Sequence, residues 1–176
     1  MDFHPIIVHF PIALLTVYVG LEFLRFRVVL ALPWWHYAKA LFLIPGSIGA
    51  GVALLTGDIA SESFGAGGDF LRILELHELA AQVTTAIFAL LAVCYAIVIA
   101  RDVNIVLTTQ SVVGWRRTFA DAARIAQQFI ESWFAPVVAL VGLLSLTITG
   151  GLGGLLVYGP DLDPVTKLLY GLIVGR

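Results

Sequence analysis

His4-Pro-Ile-Ile-Val-His-Phe-Pro-Ile-Ala-Leu-Leu15 places two histidines and two prolines at the head of an otherwise apolar run. From His9 to Leu24 the only charged residue is Glu22. An apolar segment of roughly 20 residues is long enough to cross the hydrocarbon core of a bilayer. Ionisable groups at the edge of such a helix are costly to bury and mark a site. Pro5 suits the first helical turn, where its missing N–H is an orphan anyway. Pro11 removes a backbone bond and meets the Ile7 carbonyl, which predicts a kink or a widened turn beside His9.

The rest of the chain has the same character. Of its 176 residues, 60% are hydrophobic and 12% charged, with a mean hydropathy of +0.97. Soluble domains carry roughly 25% charged residues, so the composition predicts an integral membrane protein of the all-α class. The length accommodates about four spans with short loops. A net charge of −2 gives no reason to expect nucleic acid as a partner. One cysteine, Cys94, excludes an intrachain disulfide and a CxxCH haem-attachment motif. It lies in an apolar run and reads as an inert core residue. With Asp2 and no basic segment at the start, no cleavable signal peptide is expected.

The spacing predicts a four-transmembrane-helix bundle with spans at about 5–24, 34–57, 77–100 and 133–156. Trp34-Trp35-His36-Tyr37 forms an aromatic belt at the mouth of span 2. Span 2 carries Gly46, Ser47, Gly49, Ala50, Gly51 and Ala53, a small-residue surface that lets a neighbouring backbone approach. Pro45 predicts a bend in it. Asp58 to Gly68 reads as a loop rich in glycine, with Asp69 as the N-cap of a long helix from about Phe70 to Ala100. The insert 101–132 is polar enough to leave the bilayer, and Trp115 to Ile130 has the pattern of an amphipathic surface helix. The apolar run Val165 to Val174 is too short to span and predicts a C-terminal interfacial helix at 164–174.

Arg25, Arg27, Arg101, Arg116, Arg117 and Arg124 fall on one side; Arg72, Lys167 and Arg176 fall on the other with most of the acids, Asp2, Glu62 and Asp163 among them. That bias puts the first set in the cytoplasm and both termini outside, in an inner membrane. His4, His9, Asp58, Glu75, His77, Glu78 and Tyr158 then gather near the outer face, with His36 alone near the inner one. Beneath His9 on the helical repeat come Ala13, Thr16 and Gly20; beneath His77 come Ala80, Ala81 and Thr84. Two strips of small residues, each headed by a histidine, would leave room for a flat cofactor. A weak internal repeat points the same way: spans 1 and 3 each open on a histidine, and spans 2 and 4 end in Thr56-Gly57 and Thr149-Gly150. Two parallel repeats would face His9 toward His77.

The run from His4 to Leu14 resembles a bacterial family of small four-span membrane proteins of unknown function, whose signature is HPxxVHFPIAL. Thr56-Gly-Asp58, the histidine opening span 3 and the glycine-rich end of span 4 are similar to that family too. The likeness covers about Asp2 to Tyr158. Some members are joined to c-type cytochrome segments, which implies electron transfer near the outer face. The insert 101–132 is longer than the resemblance implies and would serve as a docking surface.

The leading expectation is a b-type haem protein, or a haem-bearing subunit of a larger electron-transfer complex. His9 and His77 would be the axial ligands, with His4 as the alternative, and Asp58, Glu78, Thr16 and Thr84 would surround the cofactor. The histidines suffice for at most one such haem, so electrons would need a c-type cytochrome, a quinone or a larger membrane complex. A second reading is a Zn or Cu site built from His4, His9, His77 and Asp58 or Glu78. A third is a cofactor-free structural subunit. No nucleophile–base pair supports hydrolysis.

Overall fold

The computed structural model describes residues 4–61, 68–103, 113–161 and 163–175. Asp2, Glu62, Gly65, Gly67 and Arg176, with the side chains of Pro5, Asp69, Trp115 and Arg116, lie outside the described residues. The described residues form seven helices and no strand: α1 (His4–Phe23), α2 (Arg27–Leu30), α3 (Trp35–Ser61), α4 (Gly68–Asp102), α5 (Val113–Glu131), α6 (Phe134–Tyr158) and α7 (Pro164–Val174).

Four of them, α1, α3, α4 and α6, are long and apolar enough to cross a membrane. At 1.5 Å per residue even α1, the shortest at 20 residues, is about 30 Å long. Pro11 and Pro45 both lie inside continuous helices, so neither stops its span. Large aliphatic side chains such as Leu41, Leu55, Leu90 and Leu144 stay exposed. That is costly in water and expected against lipid, where only internally bonded backbone is tolerated.

Each of α1 and α4 packs on both α3 and α6. The four long helices therefore form a square, with α1 and α4 on one diagonal. The core between them comprises Leu15, Tyr18, Leu43, Phe88, Leu91 and Tyr95, each fully buried. Tyr18 meets Phe88 and Tyr95 edge-on, at centroid separations of 6.3 and 6.0 Å. Such edge-to-face geometry suits the aromatic quadrupole.

Glycines bring the helices of each neighbouring pair together. A Cβ on Gly46 of α3 would lie 2.8 Å from Leu15 Cδ2 of α1, and one on Gly142 of α6 would lie 2.8 Å from Phe88 Cζ of α4. These contacts reveal the repeat. Leu15 and Phe88 are 73 positions apart, as are His4 and His77, and Glu22 and Tyr95. Gly46 and Gly142 are 96 apart, as are Ala53 and Thr149, and Gly57 and Gly153. The α1/α3 pair is thus repeated as α4/α6.

Two of the shorter helices, α5 and α7, pack at opposite ends of the bundle. α5 turns Ala123, Ala126 and Ile130 inward and packs on α4, leaving Arg117, Asp121 and Arg124 exposed. At α7 the Asp163 carboxylate accepts from the Val165 and Thr166 amides at 2.7 and 2.9 Å, while the Asp163 amide donates to the Thr166 hydroxyl at 3.1 Å. That reciprocal cap satisfies orphan donors at the helix start. Leu169 and Val165 then pack on Gly151 of α6.

Candidate functional site

His4 opens α1 and His77 lies in the third turn of α4, at the end of the bundle where α3 and α6 finish. His4 Nδ1 lies 3.0 Å from Thr56 Oγ1, and the Thr56 hydroxyl donates to the Ala53 carbonyl at 3.1 Å. A hydroxyl has one proton, so this arrangement makes His4 Nδ1–H the donor to Thr56. The Ala53 carbonyl lies beside the imidazole and favours its protonated form. His77 Nδ1 donates to the Thr149 carbonyl at 3.0 Å. A carbonyl only accepts, so the proton on His77 is fixed at Nδ1 by the network. Both rings are held as the tautomer whose Nε2 keeps its lone pair.

The two settings correspond in their glycines but not in the main bond of each ring: Thr56, which accepts from His4, falls opposite Leu152, while His77 bonds a backbone carbonyl. A Cβ on Gly57 would come within 3.1 Å of His4 Cε1, and one on Gly153 within 3.2 Å of His77 Cε1. A side chain at either glycine would press on the imidazole and require it to give by a few tenths of an ångström. The two imidazoles lie at the same end of the bundle, one on each of the diagonal helices. Burial pushes the His4 pKa below the usual histidine value, and the Ala53 carbonyl opposes that only in part.

The register differs from the sequence expectation. His4, rather than His9, holds the position equivalent to His77. His9, Ala13, Thr16 and Gly20 are exposed on α1, and a Cβ on Gly20 would meet nothing within 4 Å. The strip beneath His9 therefore faces away from the other helices. The reason is rotational: five residues around a helix separate His4 from His9 by about 140°, and the side that buries Leu15, Tyr18 and Glu22 carries His4. The strip beneath His77 does face a neighbour. Thr84, almost fully buried, donates to the Ala80 carbonyl at 2.8 Å and lies 2.7 Å from Ser145 Oγ and 3.1 Å from Thr149 Oγ1. It supports the helix segment that bonds His77.

Asp58, Glu75 and Tyr158 are exposed and Glu78 is half-buried. Among the described residues none of the four is hydrogen-bonded to His4 or His77. Nor do His, Cys, Asp and Glu side chains gather in groups of three or more that could hold a metal ion, among those same residues. His36 sits at the opposite end, its Nε2 3.1 Å from Asp102 Oδ2. Two apolar grooves, of about 270 and 500 Å³, run along α3/α4 and α4/α6/α7, and neither is lined by His4 or His77.

Sequence reasoning missed the polar centre at that opposite end. Glu22 is fully buried; its Oε1 accepts from Lys39 Nζ at 3.1 Å and Arg25 Nη1 at 3.3 Å, and its Oε2 from the Tyr95 hydroxyl at 2.8 Å. Arg25 also donates to the Glu131 carbonyl and stacks on Trp133. The signal was present: Glu22 is the one charge within span 1 and Lys39 the one cation deep in the opening of span 2. Lone opposite charges in adjacent spans pair with each other. No family model, curated protein or solved structure matches this chain.

Proposed function

We propose that the protein is a multi-pass inner-membrane subunit of an electron-transfer complex, holding one b-type haem between His4 and His77 near the outer face. The observation carrying this reading is the pair of imidazoles on diagonal helices, both bonded through Nδ1 and both with an Nε2 lone pair to offer. That donor set fits an iron that takes two axial protein ligands and its remaining four from a macrocycle. It does not fit zinc, which wants four ligands, because among the described residues no three His, Cys, Asp or Glu side chains come together. A bound haem would supply one-electron transfer. The chain's own part is to fix the tautomers through Thr56 and Thr149 and to set the rings with Gly57 and Gly153. In this reading α5 lies on the cytoplasmic side, both termini are outside, and electrons pass to a c-type cytochrome or a quinone. The test is the absorption spectrum of protein purified from cells supplied with haem. A six-coordinate low-spin spectrum at one haem per chain supports the reading; a colourless protein with intact helices removes it.

A second reading is a structural subunit without cofactor. It is favoured by the use of each histidine as a hydrogen-bonded clasp, α1 to α3 and α4 to α6. The same spectrum separates the two.

A further inference from the structure

The buried centre around Glu22 has more positive charge than negative. Lys39 and Arg25 both bond one carboxylate oxygen, and the side chains of Glu22, Lys39 and Arg25 are 0%, 6% and 9% exposed. The groups facing them are Tyr18 and Arg25 from α1, Lys39 from α3, and Tyr95 and Cys94 from α4, with the Glu131 carbonyl and Trp133 beyond Arg25. Among the described residues Glu22 is the carboxylate within ion-pair distance of Lys39 and Arg25, while the Glu131 carboxylate is exposed and bonded to Gln127. An excess charge away from water is expensive. Arginine does not release its proton in proteins. Loss of one proton from Lys39 would leave Glu22 and Arg25 as a neutral pair.

Polar groups lead from this centre toward solvent. Lys39 Nζ points at Glu22 Oε1, which also faces Arg25. From Arg25 a line of polar groups runs through Glu131, Gln127 and Arg101 to Asp102 and His36, both part exposed. In the other direction Leu15, Leu43, Phe88 and Leu91, all fully buried, separate the centre from the histidine end. The Tyr18 hydroxyl is buried beside Glu22 and Tyr95.

We propose that this centre is a proton-exchange site in which Lys39 gives up and regains one proton through Glu22, with the solvent at the Asp102 end of the bundle. On release an Nζ–H bond breaks, its electron pair stays on nitrogen, and the proton passes to Glu22 Oε1 and then to water beside Arg25. Uptake is the reverse. The site is independent of any haem at the other end.

The chain has only two lysines, Lys39 and Lys167, so lysine-selective ¹⁵N labelling of the full chain in nanodiscs gives two side-chain signals. Lys167→Arg assigns them. As pH is raised over the range in which the bundle stays folded, the Lys39 signal is expected to convert from ammonium to amine. Arg25→Gln removes the excess cation but keeps the Glu22–Lys39 pair, so it should fold and should abolish that conversion. An ammonium signal for Lys39 throughout in the unsubstituted protein, or a conversion that Arg25→Gln leaves unchanged, overturns the proposal.

Discussion

The α1/α3 and α4/α6 halves agree at one end of the bundle and part company at the other. At the histidine end three positions have counterparts, His4 and His77, Ala53 and Thr149, Gly57 and Gly153, while Thr56, which bonds His4, falls opposite Leu152. Halfway down the match is looser, with Pro11 against Gly49 in one half and Thr84 bonded to Ser145 in the other. At the far end Glu22 stands where the second half has Tyr95, and the two equivalent positions bond each other. Where an end is held by two equal elements, each contributes one copy of the same group. Where the halves differ, the difference itself forms the contact, as a carboxylate and a phenol do here.

Substitutions at the unmatched end should show the largest effects. Glu22→Ala leaves Lys39 and Arg25 facing each other and should cost about 3–5 kcal/mol. Tyr95→Phe removes one hydrogen bond to a charged group and should cost about 1.5–3 kcal/mol. Denaturant unfolding in detergent measures both, and equal costs would mean the two positions are not distinct. The matched packing contacts come next. Gly46→Ala and Gly142→Ala each drive a Cβ into a fully buried side chain and should lose about 1–3 kcal/mol, alike in both halves. Gly20→Ala, in open space, should lose nothing. A large difference between Gly46→Ala and Gly142→Ala would break the repeat. Asp163→Ala removes the cap of α7, an element with no partner in the first half, at a cost of about 1 kcal/mol.

The pH dependence at His4 should be the smallest effect. The unfolded chain titrates this group near 6.5, and the folded value is lower. Below 6.5 the unfolded state binds more protons than the folded one, so stability falls as pH falls. The contribution is unchanged above 6.5, declines from there toward the folded value, and levels off beneath it. Unfolding midpoints of the unsubstituted protein and His4→Gln, compared across that window, should converge as pH drops.

The spans were legible because long apolar runs admit few alternatives in a chain with 12% charge. Helix ends fell within a few residues of the expectation at α1, α6 and α7. The repeat was legible as a likeness between Thr56-Gly57 and Thr149-Gly150, but its register was not. Local sequence cannot say which of two histidines five residues apart turns inward; that depends on the burial of Leu15, Tyr18 and Glu22 farther down the same helix. Gly153 rather than Gly150 receives the His77 ring for the same reason, since the pairing is set by how α6 lies on α4. The Glu22 centre was hidden because each span showed only one of its charges.

Haem content of three single variants, prepared alongside the unsubstituted protein from haem-supplied cells, tests the paired-histidine site most directly. If the proposal holds, His4→Ala and His77→Ala should each lose the six-coordinate spectrum, because each would remove one of the two proposed axial ligands, while His9→Ala keeps it. Loss of the spectrum in His9→Ala with retention in His4→Ala would contradict both the register of the repeat and the site built on it.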